Sequence, residues 1–132
     1  MTDSYSPKHD FKSLRVYRAA YSGTREIFDL SRRWPGTEKY ALTDQIRRSS
    51  RSVCANITEA WFRRRYPKHF VPQISDSSAE AAETLVWIDI AVDSGYLSVE
   101  QAAPLRRRYR YVIGGLTKMM AEPEKWCIPT DD

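Results

Sequence analysis

The chain has 132 residues, 42% of them hydrophobic and 29% charged, which suits one compact domain with a real core. No apolar run reaches the length of a transmembrane helix, and the polar start MTDSYSPKHDFK lacks the apolar centre of a signal peptide, so a cytoplasmic setting is expected. The net charge of +4 is modest for a nucleic-acid binder, so its distribution along the chain carries more than its total.

Residues 1–12 read as a flexible N-terminal tail. Helix one is expected over 13–33. Leu14, Tyr17, Tyr21, Thr24 and Phe28 line one side, and Val16, Ala20, Ile27, Leu30 and Trp34 widen the apolar surface. A helix this broadly apolar touches more than one partner. Trp34-Pro35-Gly36 ends it. Helix two is expected over 38–65, with Gly36 or Thr37 at its start and Glu38 at the positive end of its dipole. Leu42, Ile46, Ser49, Val53, Ile57 and Ala60 recur at spacings of three and four, which puts them on one narrow face. Beside that face runs a polar stripe of Gln45, Ser49, Ser52, Asn56, Glu59 and Arg63. Buried polar groups left unpaired cost about 1–3 kcal/mol each, so this stripe is expected to form a structural network across to a neighbouring helix.

Helix three is expected over 69–93, starting late or bending at Pro72. Ile74, Ser78, Ala81, Leu85, Ile88 and Val92 share its inner face. Asp76, Glu80, Glu83, Trp87 and Ile90 lie on the other side, where an apolar pair beside carboxylates reads as a subunit interface. Gly95 is the expected terminator. Helix four is expected over 98–121, capped by Ser98, with Ala102, Leu105, Tyr109, Val112 and Leu116 inward. Gly114 and Gly115 inside it suggest close helix approach. Residues 122–132 read as an irregular C-terminal tail. Short connections between four helices predict an all-α, up-down-up-down antiparallel four-helix bundle spanning 13–121.

The groups needed for catalysis are sparse. Two histidines stand apart, no Glu-x-x-His pair exists, and no Gly-rich phosphate loop is present. Asn56 and Glu59, one turn apart, lack a nucleophile or metal partner. The two cysteines lack metal spacing and read as reduced thiols. No enzyme activity, cofactor or metal is expected. The charge pattern is more informative: residues 12–33 and 98–121 each carry a balance of +4, whereas residues 70–95 contain no Lys or Arg and a balance of −5. Arg47, Arg48 and Arg51 share an outer face of helix two, Arg63, Arg64 and Arg65 cluster at its end, and Arg106, Arg107 and Arg110 cluster on helix four beside Arg108. Aromatic residues lie near both groups. Arginines interleaved with aromatics suit phosphate contact and base stacking. The competing reading is a solvated basic face paired with acidic helix three.

Trp34-Pro35, Glu38, Leu42, Gln45, Arg47-Arg48, Ser52-Val53 and Asn56-Ile57-Thr58-Glu59-Ala60 together resemble the signature of the intervening-sequence proteins, a four-helix-bundle family often encoded within insertions of bacterial large-subunit ribosomal RNA genes. The chain departs from that signature at Thr58 and Ala60, where the family prefers Ala and Gly. The resemblance runs from about Phe11 to Met120. It implies a homo-oligomer, with a pentamer favoured because members of this fold assemble as barrel-like pentamers. It also implies two candidate partners. One is nucleic acid, RNA above all. The other is a protein such as a reverse transcriptase, since related bundles accompany those of diversity-generating retroelements.

Overall fold

The computed structural model describes residues 10–129, so most of the expected N-terminal tail and the end of the C-terminal one lie outside the described residues. Four α-helices account for most of the described chain: α1 (Arg15–Ser31), α2 (Asp44–Trp61), α3 (Pro67–Asp93) and α4 (Val99–Ala121). No strand occurs among the described residues. Each helix packs on its chain neighbours, and α1 also packs on α4, which closes the ring of contacts. Consequently α1 and α3 occupy opposite corners.

The periodic stripe of α2 forms the centre of the core. Leu42, Ile46, Ser49, Val53, Ile57 and Ala60 are all buried. The entry to α2 is less regular than its periodicity suggests. A 3-10 turn (Gly36–Glu38) leads into a π-helical turn (Lys39–Thr43) before regular α-helix begins, and no side chain caps the start. Glu38 instead accepts a 2.8 Å hydrogen bond from the Tyr96 hydroxyl, which ties this entry to the α3–α4 turn. The helix stops at Trp61 rather than 65: the Arg63 and Arg64 N–H groups bond to the carbonyls three residues back, at Ala60 and Trp61, and this turn leads to an extended Tyr66 (φ −124°, ψ 97°) before Pro67.

On α1 the buried arc is Val16, Ala20, Gly23, Ile27 and Ser31. Of the two apolar sides expected for this helix, the one with Val16, Ala20 and Ile27 is the inner one: Tyr21 and Phe28 on the other are exposed and Tyr17 is only half-buried. Small residues win the inner position because α4 comes too close for rings. A Cβ on Gly23 would lie 2.7 Å from the hydroxyl of fully buried Tyr109, and one on Gly115 would overlap Val16. Gly114, by contrast, has open space around it, so only one of the two α4 glycines serves close approach.

α3 begins at Pro67 and continues through Pro72, which neither delays it nor ends it. Pro104 sits at the equivalent sixth position of α4. In each case the missing N–H leaves unpaired the carbonyl four residues back, at Lys68 and Glu100. Both residues are exposed, so each proline falls where the helix's first turn faces solvent. The inner face of α3 is Phe70, Ile74, Ser77, Ala81, Thr84, Ile88 and Ala91, while Ser78, Leu85 and Val92 sit at its margin. Ser77 and Thr84 are tolerated inside because each is hydrogen-bonded. Ser77 donates to the Val53 carbonyl at 2.8 Å, and the Thr84 and Ser49 hydroxyls meet at 2.8 Å. α3 ends with the Gly95 N–H bonded to the Val92 carbonyl and the Tyr96 N–H to that of Ala91, and Gly95 has φ +81°. Ser98 and Gln101 then form a reciprocal capping box for α4.

Both flanks of the four helices are more ordered than tails. Phe11, in a 3-10 turn (Phe11–Ser13), packs edge-on against Tyr17 with ring centres 5.1 Å apart. After α4, Trp126 and Cys127 pack on the core, and the Ile128 N–H donates to the Arg64 carbonyl at 3.1 Å.

Candidate nucleic-acid interface

The polar stripe of α2 meets α3 through a residue that the sequence pattern did not single out. Gln73 donates to the Asn56 carboxamide oxygen at 2.5 Å and to Glu59 at 3.2 Å, and its own oxygen accepts from Arg63 at 3.0 Å. Asn56 also donates to the carbonyl and hydroxyl of Ser52. Gln45 stays local, donating to the Tyr40 carbonyl at 3.3 Å. Asn56 and Glu59 are therefore engaged in helix pairing. A polar residue opposite that stripe on α3 was the available signal for Gln73.

The nine candidate arginines divide by what they touch. Arg48 lies between Glu80 and Glu83, 3.3 Å from the former, and these bonds hold its guanidinium pKa above the ordinary value. Arg106 meets Asp89 at 2.8 Å. Arg47 donates to the Ser31 hydroxyl at 2.9 Å and lies over the Phe28 ring at 4.6 Å. Arg64 stacks 3.6 Å over Trp61 and donates to its carbonyl, and burial lowers its pKa. Arg63 belongs to the Gln73 network. Arg51, Arg65, Arg107 and Arg110 are exposed and form no ion pair among the described residues.

The acidic stripe is thus partly consumed inside its own chain. Glu80 and Glu83 face Arg48 rather than open solvent, and Asp89 faces Arg106. Asp76 is exposed without an ion pair among the described residues. Trp87, expected to project outward, is half-buried and donates to Glu83 at 3.0 Å. The outward apolar pair on α3 is instead Val86 and Ile90, 52% and 40% exposed and one turn apart.

Opposite α3, the α1 corner is basic. Arg15, Arg18, Arg25 and Arg32 are all exposed there, and Arg47 and Arg51 flank it from α2. Among the described residues Glu26 pairs with one cation, Arg108 of α4, at 4.0 Å. Burial raises the Cys54 thiol pKa, and burial likewise raises that of Cys127, so neither is primed as a nucleophile. No group of three or more His, Cys, Asp or Glu side chains is placed to hold a metal among the described residues. No helix among them is long and apolar enough to cross a membrane.

The comparisons with known proteins agree with this frame. No curated protein matches the chain. A crystal structure of a protein of unknown function from the S23 ribosomal protein family of Bacteroides thetaiotaomicron superposes with a TM-score of 0.72 at 22% identity. The match covers 80% of this chain and 97% of that one, and it shows a shared fold. The model of the family described as 23S rRNA-intervening sequence protein matches residues 12–118. The chain belongs to the 23S rRNA-intervening sequence protein family.

Proposed function

We propose that this chain is a non-enzymatic, oligomeric helical-bundle protein of the cytoplasm that binds nucleic acid, RNA in preference, through its basic surface. Its helices would run up-down-up-down and antiparallel, as the short α2–α3 and α3–α4 connections favour. One observation carries the binding proposal. The acidic helix takes up Arg48 and Arg106, while the exposed arginines of α1 and Arg51 stand at the opposite corner and form no ion pair among the described residues. A cationic face left uncompensated by its own fold suits a polyanion.

Assembly would concentrate that face. The exposed Val86–Ile90 pair on α3, with Asp76 on the same helix, is the proposed subunit contact, and a pentamer is the proposed state. The same apolar pair supports a second reading, docking on a protein partner such as a reverse transcriptase. Salt titration separates the readings. Direct contact with a duplex RNA should weaken with a log–log slope of roughly −0.9 per phosphate, and Arg51→Ala, Arg107→Ala and Arg110→Ala should each flatten it if they make contacts. Unchanged slopes in all three would remove them from the interface. Light scattering at micromolar concentration should return five times the 15.4 kDa chain mass; a monomer would refute the assembly.

A further inference from the structure

The aromatic residues that the fold excludes from the core of α1 are arranged in order. Tyr17, Tyr21 and Phe28 follow one another along the helix at spacings of four and seven, with Thr24 between. The rings of Tyr17 and Tyr21 have centres 5.9 Å apart, and Tyr21 is 50% exposed. These two rings form the shared wall of two open clefts. On one side, a cleft of about 610 Å³ is lined by Lys12, Arg18, Ser22 and Arg25. On the other, a cleft of about 470 Å³ lies between α1 and α2 and is lined by Arg51, with Cys54, Ala55, Thr58 and Glu59. Farther along, Phe28 is sandwiched by cations, with Arg47 at 4.6 Å and Arg32 at 5.8 Å.

A row of flat rings therefore runs between two rows of cations. Arg18, Arg25 and Arg32 stand on one flank, each about 10 Å from the next along the helix. Arg47 and Arg51 stand on the other. Carboxylates at the edges of this strip are Asp10 beside Tyr17, Asp44 in a cleft with Arg47 and Arg51, and Glu59, which is engaged by Gln73. Rings of this kind, flanked by fixed charge, match a ligand with stacked planar groups on a polyanionic backbone. A duplex hides its bases from such a platform, whereas an unpaired strand offers them.

We propose that the α1 strip binds single-stranded nucleic acid, with bases stacking on Tyr17 and Tyr21 and phosphates held by Arg18, Arg25 and Arg51. The inference rests on the nucleic-acid reading above and refines it: the strip takes an unpaired segment, whereas the α4 arginines are indifferent to pairing. A second copy of this chain is the competing occupant. It is disfavoured by charge, because two of the carboxylates that could match the strip, Glu80 and Glu83, are already held by Arg48 of the same chain.

The test uses a fluorescein-labelled single-stranded RNA of mixed sequence and its duplex, read by anisotropy with the full chain. Tyr21→Ala should weaken binding to the single strand by roughly 5- to 150-fold and leave duplex binding unchanged. Tyr21→Phe, which keeps the ring, should bind as the parent does. Arg25→Gln should flatten the single-strand salt slope by about 0.7. Ultraviolet crosslinking of the unaltered protein should tag the tryptic peptide of residues 19–25, which contains Tyr21. Equal single-strand affinity of Tyr21→Ala and the parent, with no crosslink in that peptide, would overturn the assignment while leaving nucleic-acid binding intact. A parent protein that binds neither RNA would overturn both readings. A fall in oligomer mass of Tyr21→Ala by light scattering would assign the strip to subunit contact instead.

Discussion

Two glycine-to-alanine changes should have opposite signs if α1 and α4 pack as described. At Gly23 the added Cβ would sit 2.7 Å from the Tyr109 hydroxyl and 2.9 Å from two ring carbons. Ordinary contact needs about 3.5–4.0 Å, so the ring must retreat by nearly an ångström. Tyr109 is fully buried and has no open side to retreat into. Overpacking of this kind costs about 1–3 kcal/mol, against a gain of about 0.8–1 kcal/mol from removing a helical glycine. Gly114→Ala gains the same propensity with nothing within 4 Å of the new methyl group. The gap between the two variants should therefore be about 1–3 kcal/mol, with Gly114→Ala above the parent and Gly23→Ala at or below it. Urea unfolding at one fixed protein concentration measures this, since assembly makes apparent stability concentration-dependent. Equal stability of the two variants would refute the close α1–α4 contact.

Other expectations concern the polar groups and the surface. Asn56→Ala should cost about 0.5–1.5 kcal/mol in urea unfolding, because it strips Gln73 of its acceptor across the α2–α3 seam. Arg48→Ala should cost no more than about 1 kcal/mol, its side chain being half exposed, and should leave the salt slope of RNA binding unchanged where Arg51→Ala flattens it. Ile90→Glu should lower the oligomer mass without loss of helical circular dichroism, since Ile90 is exposed on α3. Burial holds the Tyr109 phenol far above its usual pKa, so its neutral form is favoured by folding. The resulting stability is fully present below pH about 10, the unfolded value, and falls as pH rises above it. Tyr109→Phe should blunt that alkaline loss in urea titrations. It should cost little at neutral pH, because the hydroxyl has no hydrogen-bond partner while Thr24 and Ser50 donate to backbone carbonyls.

The periodic elements were legible because their signal was strong and local. The α2 stripe combines large apolar residues with a narrow arc, and every one of its members is buried. The Gly95 terminator and Ser98 cap are equally local signals, and both appear with their hydrogen bonds. On α1 the sequence showed two apolar sides without ranking them. Tyr109 fills the space beside Gly23 and Val16 the space beside Gly115, so the side carrying Val16, Ala20, Gly23 and Ile27 turns inward. Pro72 does not delay α3, because at the sixth helical position it removes one hydrogen bond, to the exposed first turn. At the candidate interface, the sequence showed which residues were basic but not which were already paired. Arg48 and Arg51 look alike in a charge pattern, and only the placement of Glu80 and Glu83 separates them. Gln73 and the cationic flanks of the α1 strip depend on the same three-dimensional juxtaposition.

The central claim is that the uncompensated basic face holds nucleic acid. The most direct measurement is isolation of the protein from its native host without nuclease treatment, at moderate salt, followed by sequencing of whatever nucleic acid accompanies it. A defined RNA enriched over background, lost when Arg18, Arg25 and Arg51 are replaced by Ala together, is the expected result. Protein free of enriched nucleic acid would contradict the claim and direct the same preparation to a search for a bound protein.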